Sequence, residues 1–139
     1  MSNSARDAVI SEYLKSLRMP AIARDYPQLS RRARDGGWPY EDFLKEILET
    51  EVISRQQATV NLRLKQACLP SKKTLDEVDW EVLESISRPK ILELASCQFI
   101  QQAHNIVLAG PVGTGKTMLA VALAIEAARR RYKVLFLTA

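Results

Sequence analysis

Three glycines within six residues stand in the run Gly110-Pro111-Val112-Gly113-Thr114-Gly115-Lys116-Thr117, between an apolar stretch (Ile106, Val107, Leu108, Ala109) and a helix-like run from Met118 to Arg130. That order commits the chain to an extended segment, a tight loop and a helix in succession. Glycines let such a loop wrap closely, so that consecutive backbone N–H groups point inward at an anion while the following helix presents its positive dipole end to the same charge. In a loop of this form the lysine reaches the β- and γ-phosphates of a nucleotide and the final hydroxyl ligates Mg²⁺. The candidate nucleotide-binding residues are therefore Gly110, Pro111, Val112, Gly113, Thr114, Gly115, Lys116, Thr117 and Met118. ATP is the expected ligand, with Mg²⁺ on the Thr117 hydroxyl.

Beyond the helix, Val134-Leu135-Phe136-Leu137 reads as a second strand. Both strand candidates, 106–109 and 134–137, are fully apolar, which predicts a parallel sheet buried on both faces. The expected fold class is an N-terminal α-helical domain followed by the start of an α/β P-loop NTPase module. Residues 1–70 form the helical domain, and residues 71–139 form a linker plus the first, incomplete β-α-β unit.

The first 70 residues carry helical periodicity. Val9, Ile10, Tyr13, Leu14 and Leu17 share one face of a helix starting near Ser4. Pro20 opens a second segment with Ile22, Tyr26, Leu29 and Ala33 in period, and Pro27 inside it predicts a kink or break. Gly36-Gly37 ends that segment. From Pro39 the pattern Phe43, Leu44, Ile47, Leu48, Val52 continues to Ala67 without another Gly or Pro, as one long helix. Its later half is polar and is expected to present Arg55, Arg63 and Lys65 to a partner. Pro70-Ser71-Lys72-Lys73 then breaks the pattern and marks the module boundary. Leu75, Val78, Trp80, Val82, Leu83 and Ile86 are the apolar anchors of the acidic stretch that follows. Pro89 starts a helix whose apolar face holds Ile91, Leu92, Leu94, Ala95 and Phe99.

Charge distribution separates these regions. Residues 1–70 carry 11 basic and 9 acidic groups, residues 71–105 carry 4 and 6, and residues 106–139 carry 5 and 1. The excess sits around the loop and at Arg129, Arg130, Arg131 and Lys133. Cations at a helix C-terminus complement its dipole, and the arginines of the second segment (Arg24, Arg31, Arg32, Arg34) read as a solvated face, with contact to a nucleic-acid phosphate backbone as the alternative. Cys68 and Cys97 stand alone without metal-ligand spacing, and the single histidine, His104, rules out a multi-histidine metal site. No apolar run approaches the ~20 residues that cross a bilayer, and the start Met-Ser-Asn-Ser-Ala-Arg-Asp lacks a signal-peptide core, so a cytoplasmic location is expected. The only Asp-Glu pair, Asp76-Glu77, precedes the loop and does not follow an apolar strand, so no catalytic residue is assigned.

The loop form Gly-Pro-x-Gly-Thr-Gly-Lys-Thr looks like that of the AAA+ ATPases. Leu14-Lys15-Ser16-Leu17-Arg18-Met19-Pro20, Tyr40-Glu41-Asp42-Phe43-Leu44, Lys73-Thr74-Leu75-Asp76, Ile91-Leu92-Glu93-Leu94-Ala95 before Phe99-Ile100, and Val134 to Thr138 with Ala139 together resemble the IstB family. Its members are ATP-binding helpers of insertion-sequence transposases, related to the DnaC helicase loaders. The resemblance implies a helical N-terminal domain for partner contact and an AAA+ module that assembles into homo-oligomers on DNA, with a transposase (IstA-like) as partner. It carries Gly110, Gly113, Gly115, Lys116 and Thr117 over as phosphate and Mg²⁺ contacts, and sets Phe99-Ile100 where the family approaches the adenine. Relatives of full length continue for roughly another ~100 to 150 residues with the acidic Mg²⁺ motif, sensors and arginine finger. The chain is accordingly expected to be truncated after the second strand of the module, ahead of the parts that hydrolysis and assembly use. Helicase loading, or a helical interaction fragment that retains the loop as a relic, are the alternatives.

Overall fold

A computed structural model describes residues 3–83 and 85–138, which form two compact units, 1–58 and 59–139. Among the described residues the regular elements are helices: α1 (Asn3–Ser16), α2 (Pro20–Asp35), α3 (Tyr40–Gln66), a 3₁₀ turn (Leu75–Glu77), α4 (Arg88–Ala95), α5 (Gln98–Gln101) and α6 (Lys116–Arg129). None of these helices is long and apolar enough to cross a membrane.

In the first unit, α1 ends where Arg18 adopts a positive φ of 55°, and the Met19 N–H reaches back to the Leu14 carbonyl at 2.9 Å. The end of α2 closes similarly. Gly37, at φ 60°, lets the Trp38 N–H bond the Ala33 carbonyl at 3.0 Å, the Schellman arrangement in which a left-handed residue satisfies orphan helix carbonyls. Between these ends α2 runs unbroken through Pro27, so of the expected kink or break the break does not occur. Proline removes one helix bond there, but Ile22 before it and Leu29 after it are both buried, so packing holds the helix on each side. Ile22, Leu29 and Ile47 form the core, with Leu14, Met19, Tyr26, Trp38 and Phe43 against it.

The N-terminus of α2 has no capping side chain of its own, since Met19 stands at that position. Its donors are met from α3. Glu51 Oε2 accepts from the Ala21 and Ile22 N–H groups at 3.0 and 3.2 Å, Arg55 Nε donates to Glu51 Oε1 at 3.0 Å, and Arg55 Nη2 donates to the Arg18 carbonyl at 2.8 Å. One carboxylate thus caps a helix thirty positions away and is itself held by a guanidinium that ties down the α1–α2 corner. Arg55, expected to face a partner, is engaged within its own unit.

In the second unit α6 is the central element. Leu119, Val121, Ala122, Leu123, Ile125, Ala127 and Ala128 are all buried, and Leu119 and Ala122 join a core with Leu75, Val78, Leu83, Ile91 and Ala95. The short elements that carry this core are locally specified. Thr74 and Glu77 form a capping box around the 3₁₀ turn, and Ser87 caps α4 with Pro89 in its first turn.

The strands expected at 106–109 and 134–137 are not formed among the described residues, so the α/β half of the expected fold class is replaced by helices and extended segments. A strand exists only through a neighbour's hydrogen bonds, and the Phe136 N–H donates instead to the Ala67 carbonyl at 2.8 Å. Burial alternates along both segments. Ile106, Leu108, Val134 and Phe136 are half-buried, whereas Val107, Leu135 and Leu137 are 84%, 64% and 77% exposed, so only one side of each segment is packed.

Burial pushes the Glu51 carboxyl up, but the Arg55 guanidinium and the two backbone donors outweigh it and hold the group below the ordinary carboxylate value. Ionised Glu51 therefore stabilises the fold. Its contribution is complete above the unfolded value of about 4.3 and is lost as pH falls through the lower folded value. Glu51→Gln should cost about 1–3 kcal/mol at neutral pH, the range for losing a charged acceptor of buried donors. Urea unfolding followed by circular dichroism measures it, and the gap between wild type and variant should shrink in acid. Equal stability at neutral pH would refute the cap.

Candidate functional site

The loop from Gly110 to Gly115 turns the chain into α6 through two left-handed residues. Gly113 lies at φ 81° and Gly115, the residue preceding the first helical position, at φ 83°. Side chains other than glycine rarely adopt this conformation. At Gly115 there is a second constraint. A Cβ built there would lie 2.9 Å from Leu83 Cδ2 and 3.6 Å from Met118 Cε, so a side chain at this position would force the Leu83 methyl to shift. Gly113 has open space around it, and its requirement is conformational alone.

Within the loop, Thr114 Oγ1 donates to the Pro111 carbonyl at 2.8 Å. The Lys116 ammonium folds back over the loop, donating to the same carbonyl and to Thr114 Oγ1 at 3.3 Å. Its charge is thereby placed over the mouth of the loop. Helix geometry leaves the N–H groups of Lys116, Thr117 and Met118 without an intrahelical carbonyl. No acidic residue occupies the first turn of α6, so nothing there neutralises the positive end of the helix dipole. Thr117 is exposed at the second helical position. Val112 is fully exposed, and Met118 packs on the core. An oriented set of donors, one ammonium and one hydroxyl are chemically suited to an oligophosphate and its cation.

A cleft of about 670 Å³ adjoins the loop, lined by Gly110, Pro111, Thr114 and Lys116 on one side and by Ser87, Lys90, Ile91 and the 105–109 segment on the other. Phe99 and Ile100, which the family resemblance set near the adenine, line a different cleft, with Ala120, Leu123 and Ala124 of α6. The structure does not bring them to the loop. Ser87, Lys90 and Ile91 are the residues that sequence reasoning left out of the site. Only the Ser87-x-Pro89 helix start marks that stretch in the sequence, and it says nothing about which cleft the helix lines.

The remaining polar clusters have internal partners. Arg24 is paired with Asp25 through two hydrogen bonds of 2.7 and 2.8 Å, and Arg32 lies over the Trp38 ring at 5.7 Å. Arg129 and Arg130 both bond Glu126, at 2.8 and 2.9 Å, and Arg63 Nε donates to the Arg131 carbonyl at 3.3 Å. Cys97 is buried, and that burial pushes its thiol up, while Cys68 is exposed. Neither forms a disulfide.

Residues 12–139 match the family described as "IstB-like ATP binding protein". Among curated relatives, the "Insertion sequence IS5376 putative ATP-binding protein" of Geobacillus stearothermophilus is 35% identical over 130 residues, covering 94% of this chain and 52% of the relative. The "Insertion sequence IS21 putative ATP-binding protein" of Pseudomonas aeruginosa is 36% identical over 124 residues, covering 89% of this chain and 47% of the relative. An IS21-like relative from Bacteroides fragilis is 32% identical over 127 residues, with coverage of 91% and 48%. The chain spans about half the length of the curated relatives it matches. With the family match running over nearly all of its residues, the chain belongs to the IstB-like ATP-binding proteins.

Proposed function

We propose that the chain is an IstB-like helper of insertion-sequence transposition that binds ATP through residues 110–118, with Mg²⁺ held at the Thr117 hydroxyl. The observation that carries this reading is the loop itself. Two left-handed glycines lead into the N-terminus of a buried helix, and the Lys116 ammonium folds back on the same loop. The order of extended segment 106–109, loop, α6 and extended segment 134–137 supports residues 71–139 as the first unit of a P-loop NTPase module. Residues 1–70 serve, in this reading, as the helical partner-binding domain, with a transposase as protein partner and DNA as the substrate on which copies of the protein act together. Insertion-sequence relatives favour transposition over helicase loading.

The donor set suits the cation only in part. Thr117 supplies one protein oxygen, and no Asp or Glu is among the described residues lining the loop cleft, so further ligands come from the nucleotide and solvent. When bound, Mg²⁺ would screen phosphate charge. Meanwhile the chain's own residues bind and orient the nucleotide.

Lys116→Ala should weaken binding of a fluorescent ATP analogue by roughly 10- to 100-fold, the equivalent of about 1.5–3 kcal/mol for a charged hydrogen bond. Equal affinity of wild type and variant would remove the loop from the site. Thr117→Ala should leave Mg²⁺-free binding nearly unchanged and abolish the increment that added Mg²⁺ gives the wild type. An undiminished increment in that titration would unseat Thr117 as the ligand. Gly115→Ala, which meets both the backbone restriction and Leu83, should lower the melting temperature more than Gly113→Ala, which meets only the restriction of about 1–3 kcal/mol. Equal shifts in thermal denaturation would contradict the packing of Leu83 on the loop.

A further inference from the structure

The second unit carries a cleft on the side of α6 away from its N-terminal turn, which nucleotide binding does not use. It has a volume of about 550 Å³ and lies between the last turns of α3, the 68–74 connection and the C-terminal half of α6. Its floor is aliphatic, from Leu64, Leu69 and Ile125, and its rim carries Lys65, Lys72 and Arg129. No Asp or Glu is among the described residues lining it. Of the carboxylates near in sequence, Glu126 and Glu77 have internal partners, while Asp76 is exposed and does not line the cleft. Glu126 is bonded to Arg129 and Arg130, and Glu77 accepts from the Thr74 N–H in the capping box. The Arg63–Arg131 hydrogen bond brings further cations from α3 and the α6 terminus to this end of the unit. Lys65 and Lys72 are exposed.

We propose that this cleft docks a short, acidic, amphipathic peptide segment of a partner protein. Charge complementarity selects the acidic side. Lys65 and Lys72 stand on a cleft whose described lining holds no carboxylate, Arg129 being paired with Glu126, and such a potential steers and orients an anionic segment. The aliphatic floor selects a peptide over nucleic acid. A phosphate backbone would satisfy the rim but has no apolar side chains to cover Leu64, Leu69 and Ile125, whereas an amphipathic helix lays its apolar face into such a groove and leaves its charged face at the rim. The size is that of a pocket for two or three side chains and not of a flat patch. This proposal is independent of the nucleotide reading, because it uses none of residues 110–118.

Cys68 lies on the wall of the cleft and is exposed, while Cys97 is buried, so one thiol reports on occupancy and the other on integrity of the fold. The full chain is alkylated with iodoacetamide and each site is quantified by mass spectrometry, with a synthetic helical peptide bearing leucines on one face and glutamates on the other as probe. At a peptide concentration ten times its dissociation constant, alkylation of Cys68 should slow about tenfold, as mass action requires. Cys97 should remain unreactive throughout. Lys65→Glu with Lys72→Glu should abolish the protection while leaving binding of the fluorescent ATP analogue intact. The Lys65→Gln, Lys72→Gln pair should weaken protection in the same direction, so a folding defect in one variant does not decide the matter. Absence of protection at any peptide concentration would overturn the proposal. Equal protection by a lysine-faced peptide would remove the charge argument. Equal protection by a DNA duplex would show that the surface reads phosphate, and would overturn the peptide assignment.

Discussion

A helix N-terminus can serve as an anion site only when the helix is fixed along its flanks and open at its end. Burial of α6 supplies the first condition. Seven of its residues are sequestered, and Leu119 and Ala122 are fully enclosed by α4, the 3₁₀ turn and Leu83. Loop residues exposed to solvent would wander if the helix they feed into were free to fray, since a lone helix of this length is marginal in water. The second condition follows from composition. The first turn of α6 carries no acid, and the residue before it is a glycine, so no side chain competes for the exposed donors.

Close packing and backbone conformation meet at Gly115. A Cβ at this position would displace the Leu83 methyl, which links the apolar stretch 75–83 to the geometry of the loop. The acidic segment ahead of α4 is therefore more than a linker. It holds the loop from behind, by the same contact that completes the core. The loop cleft and the basic cleft are formed against opposite ends of α6, the first by its N-terminal turn and the second by Ile125 and Arg129. One buried helix thus organises two surfaces of different chemistry.

The first unit is organised by a different device. Helix α2 begins at a methionine that cannot cap it, and the deficit is made up by Glu51 from α3 with Arg55 behind it. Removing the Glu51 carboxylate from bulk water would cost more than it returned unless its oxygens found donors. Here both carboxylate oxygens do, one from two backbone N–H groups and the other from the guanidinium. Neighbouring aliphatic contacts at Ile22 and Ile47 seal the site.

Local signals in the amino-acid order determined much of this. The glycine spacing marked a tight loop ahead of a helix, and the structure forms that loop with left-handed residues at Gly113 and Gly115. Periods of apolar residues marked α1, α2, α3 and α4, and the absence of Gly or Pro after Pro39 made α3 one long helix of 27 residues. These are properties of neighbours along the chain, where a dihedral preference or a 3.6-residue repeat acts directly. Tertiary structure alone decided the rest. Pro27 stays inside a helix because distant side chains bury Ile22 and Leu29, and Glu51 becomes a cap because folding brings α3 beside the start of α2. The runs 106–109 and 134–137 have strand composition, yet strand is a relation to a second backbone, and the Phe136 N–H finds the end of α3 instead. Phe99 and Ile100 line another cleft than the loop for the same reason. A sequence specifies what each residue can do with its neighbours, but which remote partner it meets is settled by packing, and sites built from remote partners become legible only in the folded chain.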